Sequence, residues 1–303
     1  MSGPQTRLLS TAHGTNREAF SVADWGLFVS LVVIWGSSFL FIAIGLDQFH
    51  PGLITLLRVG FGAATLALVP GSRQTPIDLA DWPRVAVLGL LWIAMPLTLF
   101  PIAQQWINSA VAGMLNGAMP IFTALVATLL LRELPGRRQA LGLLIGFAGV
   151  AAISLPTAES GGTAILGVIL VLAATICYAI STNIVAPLQQ KYGSLAVLTR
   201  VQAVAVALVL PYGIVGVPRS EFAWSSLLAT LAVGIVGTGL AFVLMGTLTG
   251  RVGATRASFI TYGIPVVALL LGVLFRDDHV ASIAVVGVVL VIGGALLASR
   301  REV

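Results

Sequence analysis

Ten apolar runs, each about twenty residues long and almost free of charge, leave this chain few ways to fold. They cover roughly residues 24–46, 52–70, 83–104, 109–131, 138–155, 163–187, 194–215, 223–248, 253–275 and 280–299. About twenty residues of helix cross the hydrocarbon core of a bilayer. A segment in lipid must satisfy its own backbone polar groups, and the alternating pattern of barrel strands is absent, so every run is read as a helix. The composition is 58% hydrophobic and only 9% charged, against about 25% charged in soluble domains. A soluble enzyme, a secreted disulfide scaffold and a disordered tail are therefore excluded. The single cysteine, Cys177, allows no intramolecular disulfide and no cysteine-based metal site.

Charge predicts orientation. Twelve of the sixteen Lys and Arg, among them Arg7, Arg17, Arg73, Arg84, Arg132, Arg137, Arg138, Lys191, Arg251, Arg256, Arg300 and Arg301, fall in the tails and every second loop. Cytoplasmic segments carry such an excess, which puts both termini in the cytoplasm. The polar stretch 1–23 is read as a cytoplasmic tail without a cleavable signal, the first span serving as anchor. Residues 300–303 form the other tail. Trp25, Trp82, Trp106 and Trp224 stand at span ends, as interfacial residues do; Trp35 and Trp92 stand deeper.

The chain also repeats itself. A shift of 145 carries Ala112, Pro120, Gly142 and Gly149 onto Ala257, Pro265, Gly287 and Gly294, and a shift of 142 carries Arg58 onto Arg200. Residues 24–155 and 163–299 then form two five-helix repeats. Five is odd, so the second copy enters the membrane from the other side, an inverted repeat typical of alternating-access transporters.

In motif order the chain resembles the drug/metabolite transporter superfamily of the EamA type. The resemblance rests on the WGSSF run at Trp35–Phe39, the Pro51…Arg58 spacing, the stretch Ser109–Glu133, its echo at Gly253–Phe275, and the Gly-rich helix after each. Glu133 has no secure counterpart, since the ninth span ends in Arg276, Asp277 and Asp278. The resemblance implies ten helices in two inverted repeats that move small metabolites, often outward; some relatives export amino acids, aromatic ones included.

Several residues are candidates for the transport path. Pro120 and Pro265, within spans, predict helix kinks beside the repeat-related Asn116 and Thr261, with Tyr262 adjacent. Trp35 with Ser38, and Tyr178 with Ser181, each share a helix face at spacing i, i+3. Cavity lining and plain packing are both open for these groups. Arg58 and Arg200 are charges within spans, open to three readings: binding a substrate carboxylate, pairing with carbonyls as a gate or structural tie, and snorkelling. No acidic residue or histidine lies deep in a span, which predicts transport without an internal proton relay. Gly113/Gly117, Gly142/Gly146 and Gly246/Gly250 have the spacing of close helix contacts. No nucleotide, metal or nucleic-acid motif is present, so no cofactor is expected.

The reading is an all-α membrane protein that exports small metabolites by alternating access, amino acids foremost, large neutral and aromatic ones included. Nucleobase or organic-acid export is the alternative within transport; a lipid scramblase or membrane enzyme is the alternative outside it. The expected partners are a small solute and the bilayer, with the chain acting as a monomer or weak homodimer.

Overall fold

The computed structural model describes residues 21–131, 136–159, 162–252 and 257–298. Arg7, Arg17, Arg132, Glu133, Arg256, Arg300 and Arg301, like most of both tails, lie outside the described residues. Every regular element among the described residues is helical. In order these are α1 (Val22–Leu46), α2 (Pro51–Leu68), α3 (Trp82–Leu88), α4 (Met95–Ala103), α5 (Ser109–Asn116), α6 (Met119–Leu131), α7 (Arg137–Glu159) and α8 (Gly162–Tyr192). They continue with α9 (Ser194–Gly216), α10 (Trp224–Gly234), α11 (Ala241–Val252), α12 (Ile260–Arg276) and α13 (Ser282–Ala298). A π-helical segment, Gly89–Ala94, joins α3 to α4, and another, Ile235–Leu240, joins α10 to α11. Counted through such joints, eight stretches are long and apolar enough to cross a membrane; α12 and α13 are shorter apolar helices.

Local chemistry sets the helix ends. Ser21 and Asp24 form a reciprocal capping box at the start of α1, which satisfies two otherwise orphaned N–H groups. His50 caps α2 by accepting the Gly52 N–H at 3.1 Å, and Pro51 occupies the first turn, where its missing N–H costs nothing. Gly193 alone separates α8 from α9, at φ +84°, a conformation in which a Cβ would clash.

Pro120 does more than bend its span. The helix stops at Asn116, turns through Gly117 and Ala118, and restarts at Met119. Pro120 thereby falls in the first turn of α6, where proline is tolerated. Pro265 behaves differently: it lies inside the unbroken α12, and the turn in that stretch is at Ser258 and Phe259. Of the matched pair expected from the sequence, Pro120 follows a break in its span, whereas Pro265 keeps its place inside a helix.

Helices approach closely where glycine faces a backbone. A Cβ on Gly142 would lie 2.6 Å from the Gly294 carbonyl oxygen, and one on Gly149 would lie 2.6 Å from that of Gly287. These contacts lock α7 against α13. Gly113 of α5, and Gly117 just after its end, face side chains of α12 instead, those of Ala268 and Pro265. Gly246 and Gly250 do not: a Cβ there would meet only Ser194 at 3.8 Å, and nothing within 4 Å, respectively. Their GxxxG spacing makes no tight helix contact among the described residues. Elsewhere α2 packs on α9, α1 on α12, and α8 on α4 and α6. Large apolar residues such as Leu129, Leu144, Leu274 and Val289 are exposed on the outside of the bundle, the surface a lipid environment covers.

Candidate functional site

One end of the bundle carries the connections at residues 47–50, 104–108, 217–223 and 277–281, and a polar vestibule of about 760 Å³ opens there. Its walls include Asp47, His50, Gln105, Asn108, Arg219, Glu221 and Asp278. Arg276 holds Asp47 through two bonds of 2.9 Å. Asp278 accepts from the Ser109 hydroxyl at 2.7 Å and the Ala110 N–H at 2.9 Å, fastening the end of α12 to the start of α5. Burial, and then the charge of Arg219, hold the His50 imidazole below its ordinary range.

Ala43 and Gln104 line this vestibule. One helical turn deeper are Phe39 and Phe100, both buried, whose rings meet edge to face at 5.4 Å. Both amide atoms of Gln104 are buried without a partner. Beneath this aromatic floor Phe100 contacts Tyr178, ring centroids 6.0 Å apart.

Arg58 lies at this depth. It is seven residues into α2, about 10 Å along the helix axis, and only 6% exposed. Its Nε donates to the Thr238 hydroxyl at 3.2 Å, and Thr238 in turn donates to the carbonyl of Val233. Among the described residues no carboxylate lies within 4 Å of the guanidinium. A buried charge without a counter-ion is costly. Tyr178, on α8, is near enough to interact with Arg58 electrostatically, and it keeps some exposed surface deep within the bundle.

The second π segment builds the opposite wall. Trp35 Nε1 donates to the carbonyl of Gly237 at 3.1 Å. Its ring lies 6.2 Å from that of Phe242, which lies 5.6 Å from Trp92 in the first π segment. Gly237 faces Ser38, whose Oγ would stand 3.0 Å from a Cβ there. π segments inside longer helices recur at functional sites. Here the two bring Trp92, Gly237 and Thr238 to one region.

The other sequence candidates take varied places. Ser38 and Ser181 are buried, and each hydroxyl donates to the carbonyl four residues back, Ile34 and Cys177. Asn116 is 8% exposed, with its Oδ1 unpartnered. Thr261 donates to the Ser258 carbonyl at 2.8 Å, and Tyr262 stacks on Phe259 at 5.7 Å. Arg200 is engaged with carbonyls, donating to Ser72 at 2.6 Å and Arg73 at 3.1 Å. Of its three open readings, the geometry is that of a tie between a helix and a loop.

Sequence reasoning missed Thr238, Phe242 and Phe100, which carried no signal. Phe39 entered it only as the end of the WGSSF run and Gln104 only as one of several polar groups within spans, and Trp92 carried a signal in being too deep for the interface. At the far end of the bundle, Lys191 contacts Asp78 at 2.7 Å and Asp81 at 2.9 Å, and the Tyr192 hydroxyl lies 2.8 and 2.7 Å from the same two carboxylates, which share its one proton. The hydrogen bonds from Lys191 and then Tyr192 hold the Asp78 carboxyl below the ordinary carboxylate range.

An all-helical bundle with lipid-type surfaces and a polar pocket between its helices defines a multi-pass membrane protein. Residues 25–155 and 165–300 each match the EamA-like transporter family. The chain belongs to that family. It is 25% identical over 266 residues to the uncharacterized transporter YdfC of Bacillus subtilis, covering 87% of each chain. It is 28% identical to the uncharacterized inner membrane transporter YedA of Escherichia coli, covering 82% of this chain and 81% of that one. It is 25% identical to a probable terminal-alkyne amino-acid exporter of Streptantibioticus cattleyicolor, covering 93% and 94%. A solved structure at 20% identity superposes with a TM-score of 0.63 over 92% of this chain and 97% of its own, a likeness of fold.

Proposed function

We propose that this protein is a secondary transporter that exports amino acids, large neutral and aromatic ones included, by alternating access. The observation that carries the reading is the aromatic-lined centre around Arg58 at mid-bundle depth, a setting suited to a small solute with one charged end and one apolar end. The probable amino-acid exporter among its relatives supports the substrate class. Organic-acid export is the second reading, favoured by the same guanidinium.

The architecture we infer has ten spans in two inverted five-span repeats. Its support is reciprocal contact. Gly142 meets Gly294 while Gly149 meets Gly287, so each glycine faces the repeat partner of the other, as across a two-fold axis. The π segments Gly89–Ala94 and Ile235–Leu240 likewise occupy corresponding positions. The excess of Lys and Arg places both termini in the cytoplasm, so the vestibule faces outward.

On this reading the form described is closed toward the outside. Phe39 and Phe100 seal the vestibule floor, and α5 runs along α12 from Ser109 beside Asp278 to Gly117 beside Pro265. Beyond the break, α6 packs on α8 instead. Opening the outward path requires Phe39 to part from Phe100 and α5 to slide off α12. One chain, carrying the Arg58 centre between its two repeats, is the working unit.

Counterflow of labelled L-phenylalanine and L-leucine in proteoliposomes tests the assignment. Accumulation driven by preloaded unlabelled amino acid is the expected result. Absence of counterflow for any amino acid, with folded protein in the vesicles, refutes it.

A further inference from the structure

Arg58 differs from the other well-placed arginines of the bundle. Arg200 is satisfied by loop carbonyls, Arg251 by Asp24 and Arg276 by Asp47. Arg58 is the most enclosed of them, yet only its Nε is engaged, by a neutral hydroxyl. Among the described residues its two Nη groups have no hydrogen-bond partner, and they are not sealed off either, since neither is among the buried polar atoms lacking a partner. They therefore border open space inside the bundle. The Tyr178 hydroxyl has the same status, unbonded and not sealed. A guanidinium stays protonated at any physiological pH, so this region holds a standing positive charge with no carboxylate beside it among the described residues.

The geometry also fixes what fits. With Nε tied to Thr238, the guanidinium presents its Nη1/Nη2 edge, a planar pair of donors that matches the two oxygens of a carboxylate. We propose that Arg58 is the carboxylate-binding residue of the central pocket. Transported solutes dock a carboxylate on its two Nη groups, accept a further bond from the Tyr178 hydroxyl, and lay their apolar part against Trp35 and Phe242. This rests on the transporter reading above and sharpens it: the carboxylate is obligatory, whereas an α-amino group is not. Amines of the same shape are excluded because they would bring a second positive charge to a site already uncompensated.

Thermal melting of the purified full-length chain with three probes of one shape tests this. The probes are 3-phenylpropionate, L-phenylalanine and phenethylamine, at constant chloride. The two carboxylates raise the wild-type melting temperature and phenethylamine does not. Arg58→Gln weakens the carboxylate response about tenfold to a hundredfold, the effect of losing a charged hydrogen-bond pair; Arg58→Lys, which keeps the charge but loses the fork, falls between. Without ligand, Arg58→Gln melts at or above the wild-type temperature, because removing an uncompensated buried charge relieves the fold. A purely structural arginine predicts the reverse.

The proposal is overturned by any of three results: a carboxylate response in Arg58→Gln equal to wild type, an equal response of wild type to phenethylamine, or no wild-type response to either carboxylate. Counterflow with the same probes separates the two readings. Arg58-dependent stabilisation without counterflow of any amino acid sinks amino-acid export and leaves the carboxylate site standing.

Discussion

Gly293 and Gly294 are neighbours on α13, and alanine should act on them with opposite sign. At Gly294 a Cβ would stand 2.5 Å from the Gly146 nitrogen and 2.6 Å from the Gly142 carbonyl oxygen. Both are backbone atoms of a regular helix, so neither can rotate away. Reaching an ordinary contact near 3.4 Å requires α13 to retreat from α7 by about 0.9 Å. A gap of about 0.5–1 Å forfeits roughly a quarter to a half of the dispersion attraction of each facing pair. Gly294→Ala should therefore cost about 1–3 kcal/mol, the usual range for overpacking. At Gly293 nothing lies within 4 Å. There alanine only removes the entropic handicap of glycine in a helix, a gain of about 0.5–1 kcal/mol. Intrinsic-fluorescence melting in detergent reads both, with Gly293→Ala at or above wild type and Gly294→Ala several degrees below. Gly142→Ala presses on the same spot, so combining it with Gly294→Ala should cost less than the sum of the two. If Gly294→Ala melts like wild type, the backbone contact between α7 and α13 is not as tight as described, and the reciprocal seam loses its support.

Three further outcomes are expected. Asn116→Leu should lower counterflow severalfold without lowering the melting temperature, because its Oδ1 has no partner to lose among the described residues; unchanged transport would remove Asn116 from the path. The neutral His50 ring caps α2, and its pKa lies below the ordinary value of 6.5. The unfolded chain thus binds the proton more readily, so the stability this ring contributes is full above that ordinary value and is lost as pH falls through the lowered one. Melting curves of wild type should consequently fall more steeply on acidification than those of His50→Asn, which keeps a capping acceptor but does not titrate; parallel curves would exclude His50 as the cause. Counterflow should persist when a protonophore abolishes any pH gradient, and its collapse would point to a proton-coupling group.

Much of the fold could be read from the chain because lipid leaves so little choice. Apolar runs of spanning length must be helices, and the structure follows those runs with shifted limits: α8 extends to Tyr192, and the fourth span is cut at Gly117–Ala118. The cut arises because Pro120 is comfortable in a first turn and not in a helix interior, a choice between break and kink that spacing alone leaves open. The two π segments have no sequence signature, since one extra residue in a helical turn changes neither hydropathy nor period enough to register.

The pair Arg58 and Arg200 marks where sequence gives way to tertiary structure. Both follow nearly the same residues, LITLLRV and LAVLTRV, and each lies six or seven residues into its helix. The chain alone established that two charges lie within apolar segments and that they correspond by repeat. Only the folded bundle separated them: residues 72–73 reach back over Arg200 with carbonyl oxygens, while Arg58 meets a π segment 180 positions away, where the Gly237 carbonyl is taken by Trp35 and Arg58 reaches the Thr238 hydroxyl instead. Hydropathy is a property of each segment by itself and is written in the sequence; the partner of a buried charge depends on which helix stands opposite, and that is settled only by packing.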